Sequence, residues 1–323
     1  DNKDRWIATL SADAPQLVER HRLNDPAWIN WRYNEMGWLS DATEPTLWFL
    51  SEHTGFSHLY LADINSDSIS AVTEGAFEVS QPQLSSDERA VFALANPNDP
   101  GRYDLYRFEL ADGDFARDNW TALTRHGGVE SFALHPTTDQ AVLRYSNSYL
   151  PPQAGRLDDS ETGIEPLTDT RTEAYRGLDW QAPQFVQVPG RHDQGSVPAK
   201  FYPARTPRPE GGHPVVLFVH GAGYLQNVWQ RYPNYFREQM FHNFLTERGY
   251  HVLDMDFRAS AGYGRDWRTA IYRQMGTPEL EDLIDGVSWL VEEHGANPDR
   301  VGLYGGSYGG FMAFMALFNA PDV

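Results

Sequence analysis

The chain has 323 residues, of which 41% are hydrophobic and 22% charged, so it can bury a sizeable core and has room for two domains. Its net charge of −19 argues against nucleic acid and anionic membrane surfaces as partners, since both would repel it. It has no cysteine, which excludes disulfides, thiol catalysis and Cys-ligated metals, and it contains no apolar run of about 18 residues. Zero cysteine suits a periplasmic or a cytoplasmic protein equally, so localisation stays unknown. The chain begins at Asp1 with no signal-like segment, and its start is expected to have been processed or to lie elsewhere.

Residues 1–184 read as short alternating apolar runs broken by turn residues. Trp48-Phe-Leu-Ser-Glu-His-Thr-Gly55 is a strand and turn leading into the first of two repeated stretches. Ser57-His-Leu-Tyr-Leu-Ala-Asp-Ile64 answers to Tyr103–Leu110, Ala71–Gly75 to Ala122–Gly127, and Gln83–Ala93 to Ala133–Leu143. The offsets are 46, 51 and 50 residues. A period of about 40–50 with four short strands per unit is the mark of a β-propeller blade. The Ser-Asp-Glu-Arg and Thr-Asp-Gln stretches read as tight turns inside a blade. The expectation for 1–184 is a partial propeller of about four blades, the alternative being an irregular β-sandwich.

From residue 185 the texture changes. Phe185–Val188 and Val197–Tyr202 form a hairpin around Gly190–Gly195. Val215–Val219 is a continuous apolar strand, Tyr235–Arg248 a helix stopped by Gly249, and His251–Asp256 the next strand. Thr277-Pro278 opens a helix, Thr as N-cap, with an apolar stripe at Leu280, Leu283, Ile284, Val287, Leu290 and Val291. Val301–Tyr304 reads as another buried strand, and Phe311–Phe318 as a helix. Strands alternating with helices mean a mostly parallel α/β sheet over 185–323.

The chemistry concentrates at Gly305-Gly-Ser-Tyr-Gly309, between that strand and that helix. This G-x-S-x-G in strand–turn–helix context is the nucleophile elbow of α/β-hydrolases. Glycine is needed on both sides because a strand turning at once into a helix leaves no room for a Cβ. Ser307 then sits at the tip of the turn as candidate nucleophile, and the Tyr308 amide faces the place where an oxyanion would form. A glycine-rich structural turn is the bland alternative. His220-Gly-Ala-Gly-Tyr224, directly after the strand ending at Val219, is a second oxyanion element, with the amides of Ala222 or Gly221 as donors. His220 precedes the nucleophile and is read as ordering the loop rather than as general base. Asp256-Phe-Arg258 reads as a local salt bridge shaping its turn. The histidines show no metal-ligand spacing, so no metal and no cofactor are expected.

With these residues in view, the chain resembles the prolyl oligopeptidase family of serine peptidases, and its dipeptidyl peptidase IV-like branch in particular. The motifs are Asn297-Pro-Asp-Arg-Val-Gly-Leu-Tyr-Gly-Gly-Ser-Tyr-Gly-Gly310, Asp256-Phe-Arg-Ala-Ser-Ala-Gly-Tyr-Gly264 and Ser51-Glu-His-Thr-Gly-Phe-Ser-His-Leu-Tyr60. The resemblance implies a β-propeller joined to a C-terminal α/β-hydrolase domain. It implies a serine-type peptidase acting on peptide substrates through an acyl-enzyme on Ser307, with an oxyanion amide from Tyr308. It leaves a homodimer open. Acylaminoacyl peptidase or esterase activity is the alternative within the same chemistry; a propeller binding module with an inactive hydrolase half is the alternative outside it. In the family the catalytic Asp and His follow the nucleophile. Only 323 − 307 = 16 residues follow Ser307 here, so both are expected from outside this segment, with the remainder of the catalytic domain.

Overall fold

The computed structural model describes residues 2–11, 15–40, 44–110, 120–191, 195–221 and 225–323. They fall into two compact units, neither continuous in sequence. One comprises Asp1–Ser146, Pro152–Asp169 and Gly262–Asp266; the other comprises Asn147–Pro151, Thr170–Ala261 and Trp267–Val323.

The first part of the chain is all β. Strands β1 (Asp4–Leu10) and β2 (Leu17–Asn24) form an antiparallel ladder. Three four-stranded antiparallel sheets follow, each in chain order. The first is β3 (Met36–Leu39), β4 (Thr46–Ser51), β5 (His58–Asp63) and β6 (Ser68–Ala71). The second is β7 (Val79–Leu84), β8 (Ala90–Ala95), β9 (Asp104–Glu109) and β10 (Trp120–Ala122). The third is β11 (Val129–Leu134), β12 (Ala141–Asn147), β13 (Leu150–Leu157) and β14 (Ile164–Pro166). Among the described residues there are thus three complete four-stranded units and one two-stranded ladder.

The sequence repeats become repeated bonds. In the first sheet Leu59 N donates to Thr73 Oγ1 at 3.0 Å, and Val72 N to Leu59 O at 2.8 Å. In the second, Leu105 N donates to Thr124 Oγ1 at 2.9 Å, and Leu123 N to Leu105 O at 2.8 Å. A threonine after the fourth strand therefore caps the third strand in both units. The two expected turns also correspond: Ser85 N donates to Ala90 O and His135 N to Gln140 O, with Glu88 and Asp139 at φ 53° and 55°. Leu50, Leu59, Val79, Val91, Tyr106 and Phe108 pack in one buried cluster drawn from the first two sheets.

Helix α1 (Glu173–Arg176) leads to a five-stranded mixed sheet, ordered β15-β16-β18-β17-β19. Its members are β15 (Gln184–Pro189), β16 (Ser196–Tyr202), β17 (His213–Phe218), β18 (His251–Met255) and β19 (Ala296–Tyr304). The hairpin β15–β16 is antiparallel, whereas β17 runs parallel to both β18 and β19. Helix α2 (Phe236–Glu247) connects β17 to β18. Helices α3 (Arg265–Thr269) and α4 (Pro278–His294) connect β18 to β19, and α5 (Tyr308–Asn319) follows β19.

Leu280, Leu283, Val287 and Leu290 of the α4 stripe are buried, while Ile284 and Val291 are only partly so. Two sequence expectations need correction. Thr277 precedes α4 but is itself α-conformed and makes no side-chain cap bond. The strand Val301–Tyr304, read as buried, is only partly covered, with Gly302 exposed; among the described residues β19 stands at the edge of its sheet, the open edge expected for a chain with so few residues after Ser307. Apolar residues cannot by themselves report whether a second neighbour strand is present. On α5, Phe314, Leu317 and Phe318 are exposed.

Candidate active site

The three parallel strands β17, β18 and β19 end at one level, with Phe218 opposite both Asp254 and Tyr304. The segments leaving their carboxyl ends therefore meet at one edge of the sheet, where open α/β sheets build their sites. These segments are His220–Gly221, Asp256–Ser260 and Gly305–Ser307.

Ser307 lies between β19 and α5 with φ 54° and ψ −117°, a conformation that strains any residue with a Cβ. The side chain is exposed, and among the described residues its hydroxyl has no hydrogen-bond partner. The glycines around it are dictated by sterics. A Cβ on Gly305 would stand 2.2 Å from Val219 O, and one on Gly309 2.1 Å from the same carbonyl. By contrast a Cβ on Gly306 would meet nothing within 4 Å. The elbow thus presses its two outer glycines onto the last residue of the β17 segment, whose own N–H donates to Tyr304 O at 3.0 Å.

The residue after the serine is fixed by its side chain. Tyr308 is buried, and its hydroxyl donates to Glu279 Oε1; both oxygens of that buried carboxylate also accept from Gly276 N, at 3.0 and 2.9 Å. Burial and the adjoining Glu279 carboxylate push the Tyr308 phenol well above the usual tyrosine range.

His220 is fully buried and stacks on Phe257, ring centroids 4.5 Å apart. Its Nδ1 donates to Gly221 O at 2.5 Å, and its Nε2 lies 2.9 Å from Ser260 Oγ and 3.2 Å from Asp256 Oδ1. Burial alone would lower the imidazole pKa; the hydrogen bond and charge of Asp256 outweigh it and raise the group above the ordinary histidine value. Both ring nitrogens are thus engaged within the fold, Nδ1 by the Gly221 carbonyl and Nε2 by Ser260 and Asp256.

Asp256, also fully buried, accepts Asn227 N at 2.8 Å on Oδ1 and Val228 N at 2.9 Å on Oδ2. Gly221 N, one expected oxyanion donor, is taken by Tyr235 Oη at 2.9 Å. Ala222, the other, lies outside the described residues.

The expected local bridge at Asp256-Phe-Arg258 takes a different form. Arg258 reaches across to α4, pairing with Asp282 and with Glu281 at 2.9 Å, and donates its own amide to Asp282 Oδ2 at 2.7 Å. The turn is strained at Ala259, φ 131°. Sequence reasoning brought together Ser307, Tyr308, Gly221 and His220 but missed Asp256 as the partner of His220, and Tyr235, Ser260 and Glu279 altogether. Among the described residues no cluster of three or more His, Asp or Glu side chains could hold a metal ion.

Comparison with known proteins follows the same division. Residues 1–152 match the dipeptidyl peptidase IV N-terminal region, and residues 236–323 the prolyl oligopeptidase family. Human dipeptidyl peptidase 8 is 27% identical over 268 residues, covering 78% of this chain and 29% of its own. Dipeptidyl aminopeptidase BIII of Pseudoxanthomonas mexicana is 36% identical over 109 residues, covering 34% of this chain and 15% of its own. This chain therefore spans under a third of the length of these relatives. The crystal structure of Porphyromonas gingivalis dipeptidyl peptidase 4 superposes with a TM-score of 0.78 at 19% identity, over 98% of this chain and 44% of that one. Four antiparallel sheets followed by a mixed α/β sheet fit the propeller-then-hydrolase order of that fold. With both regions matched in the expected order, these likenesses support a prolyl oligopeptidase family protein of the dipeptidyl peptidase IV-like kind.

Proposed function

We propose that this chain carries the nucleophile of a serine peptidase that removes dipeptides from the amino ends of peptides. Ser307 attacks the scissile carbonyl, an acyl-enzyme forms, and water releases it. The observation that carries the reading is the backbone of Ser307: strained, exposed, and wedged between two glycines that no other residue could replace. Strain of this kind persists only where the surrounding structure imposes it. Tyr308 supplies one oxyanion amide. Because the Gly221 amide is engaged by Tyr235, the second donor is assigned to Ala222. His220, with both ring nitrogens engaged by Gly221, Ser260 and Asp256, orders the loop rather than serving as the general base. The dipeptidyl preference follows the relatives' names; acylaminoacyl peptidase or esterase action is the second reading, on the same elbow.

The test is a panel of dipeptidyl amides, acylaminoacyl amides and simple esters offered to the whole protein, with Ser307→Ala alongside. The expected result is preferred cleavage of dipeptidyl amides and a loss of several orders of magnitude in kcat on substitution. A fluorophosphonate adduct on any other serine would refute the assignment.

A further inference from the structure

Strands β16 and β18 place Lys200 directly opposite Asp254, so both side chains leave the same face of the sheet, and both are buried. That face lies beneath α2. Tyr202, two residues on from Lys200, has its ring 5.1 Å from that of His242, and Phe218, in register with Asp254, has its ring 5.4 Å from the same imidazole. Tyr304, opposite Phe218, holds His242 Nε2 at 2.8 Å from its hydroxyl. From the segment before α2, Asn227 donates Nδ2 to Asp254 Oδ2 at 2.6 Å.

Four atoms here have no hydrogen-bond partner and are closed off from solvent: Lys200 Nζ, Asp254 Oδ1, Asn227 Oδ1 and His242 Nδ1. They come from four segments: β16, β18, the segment before α2, and α2 itself. Buried polar atoms without partners are uncommon in folded proteins, and a bare charge is the costliest kind. The chemistry of these four is complementary. An ammonium has three N–H donors and no acceptor, whereas the free oxygens of Asp254 and Asn227 only accept. Burial and the Lys200 charge hold His242 down, at about 3, so the ring is neutral and carries one hydrogen. A cation nearby favours a lone pair on the free Nδ1, so Nε2 carries that hydrogen and donates it to Tyr304 Oη. Three donors are then matched by three acceptors, although none of them bonds Lys200 Nζ directly.

We propose that Lys200, Asp254, Asn227 and His242 enclose an internal hydration site, in which bound water accepts from the ammonium and donates to the two oxygens and to Nδ1. Water fits where an ion does not. An added anion would meet the carboxylates of Asp254 and Asp256, and an added cation the ammonium. Burial lowers the Lys200 pKa while both carboxylates counter it; burial raises Asp254 to about 6 with Lys200 opposing, so each group supports the charged form of the other at neutral pH. An interior water makes about three hydrogen bonds to otherwise unpartnered groups, so a pair of molecules suffices for all four atoms. The result is a water-bridged ion pair that ties β16, β18, α2 and Asn227 together. The site is independent of the role given to Ser307.

The test is a crystal structure of the whole protein in which ordered water is visible. At least one water is expected about 2.7–3.2 Å from Lys200 Nζ and from one or more of Asp254 Oδ1, Asn227 Oδ1 and His242 Nδ1. Direct bonds from Lys200 Nζ that leave no room for water, or an ion in its place, overturn the proposal. Nitrogen NMR of the histidine rings gives a second reading: His242 is expected as the Nε2–H tautomer near pH 7, and the Nδ1–H tautomer refutes the acceptor set. Hydrogen exchange of the β16 and β18 amides tests the energetics. Lys200→Met leaves Asp254 without its cation, and Asp254→Leu leaves the ammonium without its anion, so exchange is expected to quicken about 10²–10³-fold in each. Lys200→Met combined with Asp254→Leu removes both charges and restores much of that protection. Exchange unchanged in both single variants overturns the proposal, as does a double variant no better protected than the worse single one. Where a variant fails to fold, the water and the tautomer in the parent protein still decide.

Discussion

Gly309 and Gly310 are neighbours in the first turn of α5, and alanine should act on them with opposite sign. Intrinsic propensity favours alanine at either place, by about 0.5–1 kcal/mol. At Gly310 nothing opposes that gain, because the nearest atom to an added Cβ is Gly305 O at an ordinary 3.6 Å. At Gly309 the Cβ would stand 2.1 Å from Val219 O and 3.0 Å from Val219 C. Ordinary contact begins at about 3.4 Å, so α5 and the end of the β17 segment must part by more than 1 Å. The obstacle is the backbone of an interior strand and cannot rotate away. Overpacking of this kind costs about 1–3 kcal/mol, occasionally more. Gly309→Ala should therefore be net destabilising, by up to about 2.5 kcal/mol, and Gly310→Ala stabilising by about 0.5–1 kcal/mol. Urea denaturation of the two variants beside the parent protein measures both. Reaction of Ser307 with fluorophosphonate should slow only in Gly309→Ala. Equal stability of the two variants, or a Gly309→Ala more stable than Gly310→Ala, would refute the steric account of the elbow.

Three further outcomes are expected. Tyr308→Phe removes the hydroxyl that bonds the buried Glu279 and should lower stability by about 1–3 kcal/mol in thermal unfolding; an unchanged Tm would show that the carboxylate finds another donor. Thr124→Val leaves the Leu105 amide and the Asp104 carboxylate without their Thr124 partner, and should cost about 1–3 kcal/mol by the same measurement. Burial, with the Lys200 charge adding, pushes His242 down to about 3, so the folded protein refuses a proton that the unfolded chain accepts below about pH 6.5. Stability should fall as pH drops from about 6.5 towards 3, by about 1.4 kcal/mol per pH unit from this residue; denaturant midpoints should show that slope reduced in His242→Gln, and an unchanged slope would mean that His242 is charged in the fold.

What the sequence disclosed was local. Gly305 and Gly309 were readable because the constraint on them, a strand turning straight into a helix, is written in adjacent residues. The paired units at Leu59–Thr73 and Leu105–Thr124 were readable because a repeated bond leaves a repeated pattern. The clamp at Asp256 was not, since its partners lie 28 to 36 positions away and an isolated aspartate looks the same whether it faces a histidine or water. The same holds for Tyr308 and Glu279, joined across 29 positions. Glu279 in the first turn of α4 reads as an ordinary acid favoured by the helix dipole. Thr277 has the residue type of a cap but the wrong backbone angles for one.

The interleaving of the two compact units bears on how the polypeptide matures as it leaves the ribosome. Domains generally acquire structure from the amino end as synthesis proceeds. Here the unit built mostly from residues before 170 keeps one piece, Gly262–Asp266, that is made only after Thr170–Ala261 of the other unit. That late piece brings Gly264 N to Glu78 Oε1 at 3.2 Å, Arg265 N to Gly55 O at 2.7 Å, and the Arg265 guanidinium to Asp25. A nascent chain stopped at residue 169 would hold Glu78 and Asp25 without these donors, so its β-rich unit would stay loosened until translation had passed residue 266. For the same reason no single cut in the gene yields either unit whole. Shuffling of these halves between relatives must exchange the later strap together with the earlier strands that receive it.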